Sequence, residues 1–172
     1  MSNKFDNSIN INFNKKKNKT MKIIDYNKGY KKQIPNLFTN TIHKTCHKDY
    51  TKEQLNAWAN PNIDYDSWEK RLDKTKPYLA VIDDTLVGFT EFYDDYIDCF
   101  YVHHEYQGQG VGKALLNHIL DIASKNGIKK LRVDASITAK AFFESFGFVE
   151  TRKNEIKRDT QILINYSLEL KL

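Results

Sequence analysis

The sequence predicts a mixed α/β (α+β) fold: a central mixed sheet of six or seven strands flanked by helices on both faces. Two observations carry that expectation. Between residues 22 and 170, short runs rich in aromatic and β-branched residues alternate with segments whose apolar residues recur at helical spacing. Within them, residues 96–123 read as strand, glycine loop and helix in unbroken succession. A third observation bounds the size: 172 residues make one domain that buries a core without disulfide or metal staples.

Residues 1–20 are rich in Asn and Lys and show no sustained period, so a disordered tail is expected there, followed by a single domain over residues 21–172. Residues 1–22 hold six lysines and one aspartate, while the remaining 150 carry 21 basic and 21 acidic groups. The formal net charge of +5 therefore belongs to the tail. One reading has Lys15, Lys16 and Lys17 touching nucleic acid or anionic lipid. The plainer one is a solvated tail upstream of an alternative start at Met21, and nucleic acid is not an expected partner. No apolar run approaches the length of a membrane span, and the N-terminus lacks the apolar segment of a signal peptide. Cys46 and Cys99 form neither a metal spacing nor a disulfide framework, which suits a reducing cytoplasm. A soluble cytoplasmic protein is expected, with no membrane partner.

The elements follow in order. Lys22–Tyr26 reads as a first strand, and Gln33 to about His47 as a helix with Ile34, Leu37, Phe38 and Ile42 on one face. Thr51-Lys-Glu-Gln54 is a capping box opening a helix through Trp58, and Asn60-Pro61 stops it. Asp64 to Leu72 makes a further short helix containing Trp68. Tyr78–Ile82 and Thr85–Phe92 form a β-hairpin around Asp83-Asp84, and Asp94-Asp95 turns the chain into the central strand 96–102. After the helix that follows the glycine loop, Gly127 supplies a C-terminal stop. Then come a strand over Ile128–Val133, a helix over Thr138–Phe146 ended by Gly147, a strand from about Phe148 to Lys153, and a last strand over Gln161–Leu170. His43 and His47 stand i, i+4 on one helix, but neither a nearby Glu nor a third ligand accompanies them, and no metal is expected.

The glycine loop carries the chemistry. Gly108, Gly110 and Gly112 remove Cβ atoms where the backbone must turn tightly and leave a row of N–H groups above a helix N-terminus. Orphan donors and the positive end of the helix dipole coincide there, which attracts phosphate. A Walker loop is excluded, because Gln107 stands where its first glycine belongs and Ala114 where Ser or Thr belongs. The dinucleotide fingerprint G-x-G-x-x-G fails on spacing.

Gln107, Gly110 and Gly112 match the (Gln/Arg)-x-x-Gly-x-(Gly/Ala) acetyl-CoA motif of the GNAT N-acetyltransferase superfamily, and Phe142–Phe148 resembles that family's later aromatic-Glu-x-x-Gly-Phe segment. The resemblance, to the bacterial small-substrate type, runs from about Met21 to the C-terminus. It implies the acyl-CoA N-acyltransferase fold, acetyl-CoA as cosubstrate and no metal. Pantetheine would lie where strand 96–102 splays from strand 128–133, on backbone groups of Phe100, Tyr101 and Val102. Pyrophosphate would sit on N–H groups of Gln107, Gly108, Gln109, Gly110, Val111, Gly112 and Lys113, with Lys113 or Lys140 adding charge. Ser136 and Phe143 complete the cofactor side. Ser136 stands where relatives often carry Asn, and His104 where Pro is common. The early helices shape the acceptor pocket in this superfamily, so Trp58, Tyr65 and Trp68 either contact substrate or pack the core.

Acetyl transfer to an amine needs a neutral amine, a stabilised oxyanion and an exit for the thiolate. An alkylammonium has a pKa of about 10.4, so a base or water chain must take its proton. Strict alternation puts Tyr96, Asp98 and Phe100 on one face of the strand and Ile97, Cys99 and Tyr101 on the other. Several relatives carry their base at positions aligned with Tyr96 and Asp98. An Asp inside an apolar strand sits at the cleft or is bonded, and Asp98 is the first candidate base, with Glu91 second. The competing reading has Asp98 bond a neighbouring loop or a cationic substrate. Phe143 occupies the place of the usual general acid, a Tyr. Tyr96, Tyr101 or Tyr166 could serve instead, or the thiolate leaves unassisted, since a free thiol has a pKa of about 8.5. Cys99 is expected to face away from Asp98 without a cationic activator, which argues against an acetyl-cysteine route. His103 and His104 are expected to point to opposite sides.

These expectations converge on an acetyl-CoA-dependent N-acetyltransferase acting on a primary amine in a ternary complex. The alternative is a non-catalytic acyl-CoA-binding or sensing domain of the same fold. Polyamine, amino acid, peptide N-terminus, aminoglycoside and protein lysine are all acceptors the motifs allow. A homodimer paired through the C-terminal strand suits the family.

Overall fold

The structure, a computed structural model, describes residues 20–172 together with the backbone of residues 8 and 9. Most of the expected disordered tail therefore lies outside the described residues. Eight strands form one sheet: β1 (Ser8–Ile9), β2 (Met21–Ile24), β3 (Tyr78–Ile82), β4 (Thr85–Tyr93), β5 (Tyr96–Val102), β6 (Lys130–Ser136), β7 (Val149–Arg158) and β8 (Gln161–Lys171). Their order is β1-β2-β3-β4-β5-β6-β8-β7. Every neighbouring pair is antiparallel except β5 and β6. That parallel pair needs a crossover, which α4 (Val111–Lys125) supplies.

Helices α1 (Gln33–Thr45), α2 (Lys52–Trp58) and α3 (Tyr65–Thr75) cover one face, and α4 with α5 (Ile137–Glu144) covers the other. The local reasons are legible. Thr51 caps α2 in a reciprocal box, its hydroxyl accepting from Gln54 N–H while Gln54 Oε1 accepts from Thr51 N–H. Asp83 and Asp84 both adopt positive φ, 47° and 61°, the conformation a two-residue hairpin turn requires. On α4, Leu115, Leu116, Ile119 and Ala123 are fully buried along one stripe. Gly147, at φ 89°, ends the α5 segment, and Phe148 N–H closes back on Phe143 C=O.

Several boundaries differ from the expectation. β2 stops at Ile24, because Asn27 caps a 3-10 turn, accepting from Gly29 N–H at 2.7 Å. β6 continues through Ser136, its alternation extended by buried Ala135, so α5 starts at Ile137. β7 runs to Arg158 rather than Lys153, paired along its length with β8 and joined through Asn154, whose amide donates to Asn165 and Ser167.

A bulge in β5 decides what faces the site. Thr90 pairs with Phe100 but Phe92 pairs with Ile97, so β5 carries one residue more than β4 opposes. Ile97 packs with Leu116 and Ile119 under α4, and Cys99 packs with Ile34 and Leu37 under α1. The strict alternation expected of Ile97, Cys99 and Tyr101 thus fails at Ile97. Nearby, Gly88 lets α4 approach β4: a Cβ there would stand 3.0 Å from both Tyr101 O and Val111 Cγ1. Gly88→Val should cost about 1–3 kcal/mol through overpacking, read as a lower Tm in a thermal melt, with far-UV dichroism unchanged below the transition.

Candidate active site

After Tyr96 and Ile97 have paired with Arg132 and Val133, β5 and β6 part. His103 N–H donates to Val87 C=O, and residues 100–102 pair with 88–90. Antiparallel bonds alternate, so the backbone groups of Phe100 and Val102 turn away from β4 into the gap. Val102 C=O indeed accepts there from Thr41 Oγ1 at 3.2 Å and from Gln107 Nε2 at 3.3 Å.

At the end of β5 the glycine loop swings over α4. Gly108 and Gly110 adopt φ 71° and 86°, a region glycine enters without a Cβ penalty. Gly110 is the N-cap of α4 and offers no side chain to it. Ala114 N–H is bonded to Gly110 C=O at 3.0 Å, so the N–H groups of Val111, Gly112 and Lys113 precede the first helical bond. A cavity of about 450 Å³ runs from this loop into the gap, lined by Gln107, Gly108, Gly110, Gly112, Lys113, Phe100, Val102 and the aromatic face of α5. Phe143, 1% exposed, packs against Phe100 and Phe148 on that wall. Ser136 caps α5 through Ala139 N–H and lines the same cavity.

The side chains of Gln109 and Val111 do not line the cavity, Gln109 donating to Glu105 C=O and Val111 being core; what is expected of both is the backbone N–H. One expected cofactor residue is placed otherwise. Lys140 is turned away from the loop: it pairs with Glu144 and Glu150, lies over the Tyr166 ring, and does not line the cavity. Helical spacing explains this, because Glu144 is one turn on.

A second cavity, of about 590 Å³, opens between α2, α3 and the β7–β8 hairpin. Its walls are aromatic. Trp58 meets Tyr50 edge-on at 5.4 Å, and Phe38 meets Trp68 and Tyr101 at 5.0 and 4.8 Å. Tyr65, in contrast, is exposed, bonds Asn36, and does not line this cavity. Trp58, Asp98, Tyr101, Asp134 and Ser136 line both cavities. The two chambers meet at those five residues.

Electrostatics at the junction centre on Arg71. Glu91, fully buried, accepts Arg71 Nε at 3.1 and 3.2 Å, Arg71 Nη2 at 2.5 Å and Thr75 Oγ1 at 2.9 Å. The second candidate base is therefore neutralised, and it lines neither cavity. The same Nη2 reaches Asp98 Oδ2 at 3.1 Å and Cys99 Sγ at 3.2 Å. This corrects the expected separation of Cys99 from Asp98 and from any cation: the bulge brings both to Arg71, a contact across 28 residues of sequence. Burial nevertheless pushes the Cys99 thiol well above its ordinary range, which favours the protonated thiol. Desolvation raises the Asp98 carboxyl, with Arg71 opposing and Glu91 adding to the rise. Tyr96 lines the second cavity and donates to Asp134 Oδ2 at 3.1 Å; burial, then Asp134, push its phenol up. Asp134 also accepts from Ser167 Oγ at 2.5 Å.

Sequence reasoning missed Arg71 and Asp134. Asp134 left a trace as the polar phase of Leu131–Ala135, whereas nothing local marks Arg71. The histidines are placed differently from expectation as well. His103 and His104 stack, with centroids 4.4 Å apart, instead of pointing to opposite sides. His43 and His47 each bond a backbone carbonyl, of Ala59 and Lys44.

Residues 46–170 match the family described as acetyltransferase (GNAT) domain. The chain is 34% identical over 137 residues to the uncharacterized N-acetyltransferase YafP of Escherichia coli (strain K12), covering 80% of this chain and 87% of that protein. The crystal structure of a GCN5-related N-acetyltransferase (aminotransferase, class-II) from Rhodopseudomonas palustris superposes with TM-score 0.82 at 29% identity, covering 87% of this chain and 94% of that one. PaiA N-acetyltransferase from Thermoplasma acidophilum, solved in complex with coenzyme A, shares the fold with TM-score 0.65 at 17% identity over 88% and 99%.

Asp98 yields a prediction about stability. Its folded carboxyl titrates above the ordinary 3.8, so the folded state holds the proton more tightly than the unfolded one. Stability then falls as pH rises through that window, and the charged form costs stability at neutral pH. Asp98→Asn should stabilise the fold at pH 7, by no more than about 1 kcal/mol because the carboxyl is partly exposed and screened. The gain should shrink as pH falls to 4. Thermal melts at both values check the sign, and a destabilised variant at pH 7 would show that the Arg71 contact outweighs burial.

Proposed function

The chain belongs to the GNAT acetyltransferase family, and from that premise we propose that it moves the acetyl group of acetyl-CoA directly onto a primary amine, with both substrates bound at once. The observation that carries this is the meeting of two cavities at Trp58, Asp98, Tyr101, Asp134 and Ser136. Residues 21–172 are read as the catalytic unit.

The cofactor side fits acetyl-CoA on its own chemistry. The capless N-terminus of α4 and Lys113 present donors and positive charge to a pyrophosphate. The edge of β5 turned away from β4 offers the N–H and C=O of Phe100 and the N–H of Val102, which suit the amides of pantetheine. Acetyl-CoA supplies an activated thioester; the rest is done by residues of this chain. An N–H of Phe100 or Val102 polarises the thioester carbonyl. Asp98, at the junction, takes the proton of the incoming ammonium directly or through water. Its raised pKa suits that task better than an ordinary carboxylate would. Tyr96 holds its proton against Asp134 and keeps that second carboxylate in place. Of the three hydroxyls considered for the thiolate, Tyr101 lines both cavities, while Tyr166 packs on Lys140. The Glu91, Asp98 and Cys99 ligand atoms cluster closely enough for a metal, but the Arg71 guanidinium bonds all three.

Phe143 in place of Tyr favours a second reading, a domain that binds acyl-CoA without turning it over. Calorimetric titration of acetyl-CoA, together with thiol release across an amine panel, separates the two. Binding with release supports the enzyme, and binding without release for every amine supports the sensor. Lys113→Glu should weaken acetyl-CoA on the order of 10-fold without lowering Tm, because Lys113 is exposed. Asp98→Asn should lower kcat roughly 10²–10⁴-fold and leave the acetyl-CoA Kd unchanged; unaltered turnover across pH would remove Asp98 as base.

A further inference from the structure

We propose that the acceptor is an amino acid or short zwitterion with an apolar body, its amine held at Asp98 and Asp134 and its carboxylate by Arg158. This rests on the acetyl-transfer reading and names the substrate class of the same site.

The charges of the acceptor cavity carry the inference. Asp64 lines it, but its carboxylate is used as the cap of α3, accepting Ser67 N–H at 3.0 Å and Ser67 Oγ at 2.7 Å. Arg71 is bound to Glu91, and Glu91 does not line the cavity. Asp98, which shares Arg71 with Glu91, and Asp134, bonded by the Tyr96 and Ser167 hydroxyls, stand at the inner end, where the two chambers meet, and Arg158 stands at the β7–β8 end. Arg158 differs from the other three arginines of the chain. Arg71 binds Glu91 and Asp98, Arg132 binds Asp95 at 2.9 and 2.6 Å, and Arg152 binds Asn154 at 2.6 Å. The Arg158 guanidinium makes no ion pair or hydrogen bond to any described residue. It is exposed, closes β7 opposite Gln161, and faces the cavity from the hairpin. Its charge also reaches Asp98, whose carboxyl it draws down.

An acceptor with cationic groups alone would place one of them against an unpaired guanidinium. One with anionic groups alone would meet two carboxylates. A molecule that carries both an ammonium and a carboxylate meets the opposite charge at each. Between those ends the walls are Phe38, Trp58, Trp68, Ile156 and Leu163, which suit an apolar or aromatic side chain.

The test compares matched pairs that differ by the carboxylate: phenylalanine with phenethylamine, tryptophan with tryptamine, and 5-aminopentanoate with butylamine. For at least one pair the acid should have the higher kcat/KM, by about 10- to 100-fold, the worth of one charge-assisted contact. Arg158→Gln should bring that ratio close to one, chiefly through KM of the acid. Lys157→Gln, which removes a neighbouring charge that does not line the cavity, should keep the ratio. Amines turned over as fast as their acids, a ratio untouched by Arg158→Gln, or no turnover of any pair would each overturn the inference. Acetyl-CoA titration on the same samples distinguishes the failures. Bound acetyl-CoA with the wrong acceptor preference sinks this inference alone, whereas absent acetyl-CoA binding removes the transfer reading beneath it.

Discussion

The parting of β5 from β6 beyond Ile97 and Val133 is the constraint on which the site depends. Backbone donors and acceptors left inside a sheet must find partners. Here the gap stays open because β6 is fully engaged on its other side with β8, residue by residue from Lys130 to Ser136. β5 is held in the same way by β4. Two strands each paired on one edge leave two edges facing a cleft, and the cleft is where an amide-rich ligand can complete the ladder. The crossover α4 spans the opening and brings its own unbonded N–H groups to one end of it.

Arg71 solves a second problem created by the same region. Glu91 is fully buried on β4, and an unpaired carboxylate there would be expensive. Arg71 reaches down from α3 and satisfies both of its oxygens, with Thr75 adding a further donor. This contact fastens α3, which walls the acceptor cavity, to the sheet. Its Nη2 then reaches Asp98 and Cys99. One guanidinium thus sets the position of a cavity wall and the electrostatic surroundings of the candidate base. Coupling of that kind explains why the pair sits beside the junction rather than elsewhere in the sheet.

What could be read from the sequence was local. The strand, glycine loop and helix over residues 96–125 rest on signals within a few residues of one another, as do the capping box at Thr51 and the hairpin at Asp83-Asp84. The bulge at Asp98 and Cys99 was not legible, because it is a mismatch with β4 and exists only once the two strands pair. Its consequence, the convergence of Asp98 and Cys99 on Arg71, was hidden for the same reason. β7 was cut short because Asn154 to Arg158 is a polar edge strand without the alternation that marks a half-buried one. Lys140 looked available for phosphate until Glu144 and Glu150 claimed it, the second of them from another element.

Phe143 illustrates how packing and chemistry constrain one another. Its ring is nearly sealed, in contact with Phe100, Phe142 and Phe148 at centroid distances of 5.2, 5.2 and 5.3 Å. That aromatic cluster fastens α5 to β5 across the gap, so it maintains the very opening that the cofactor side uses. A hydroxyl on this ring would need a partner among apolar neighbours or an outlet into the cavity. Phe meets the packing demand without that requirement. Tyr101, on the strand opposite, lines both chambers, and burial raises its phenol. With a leaving thiol whose pKa is only about 8.5, little acid assistance is required. Phe at residue 143 is therefore compatible with transfer chemistry.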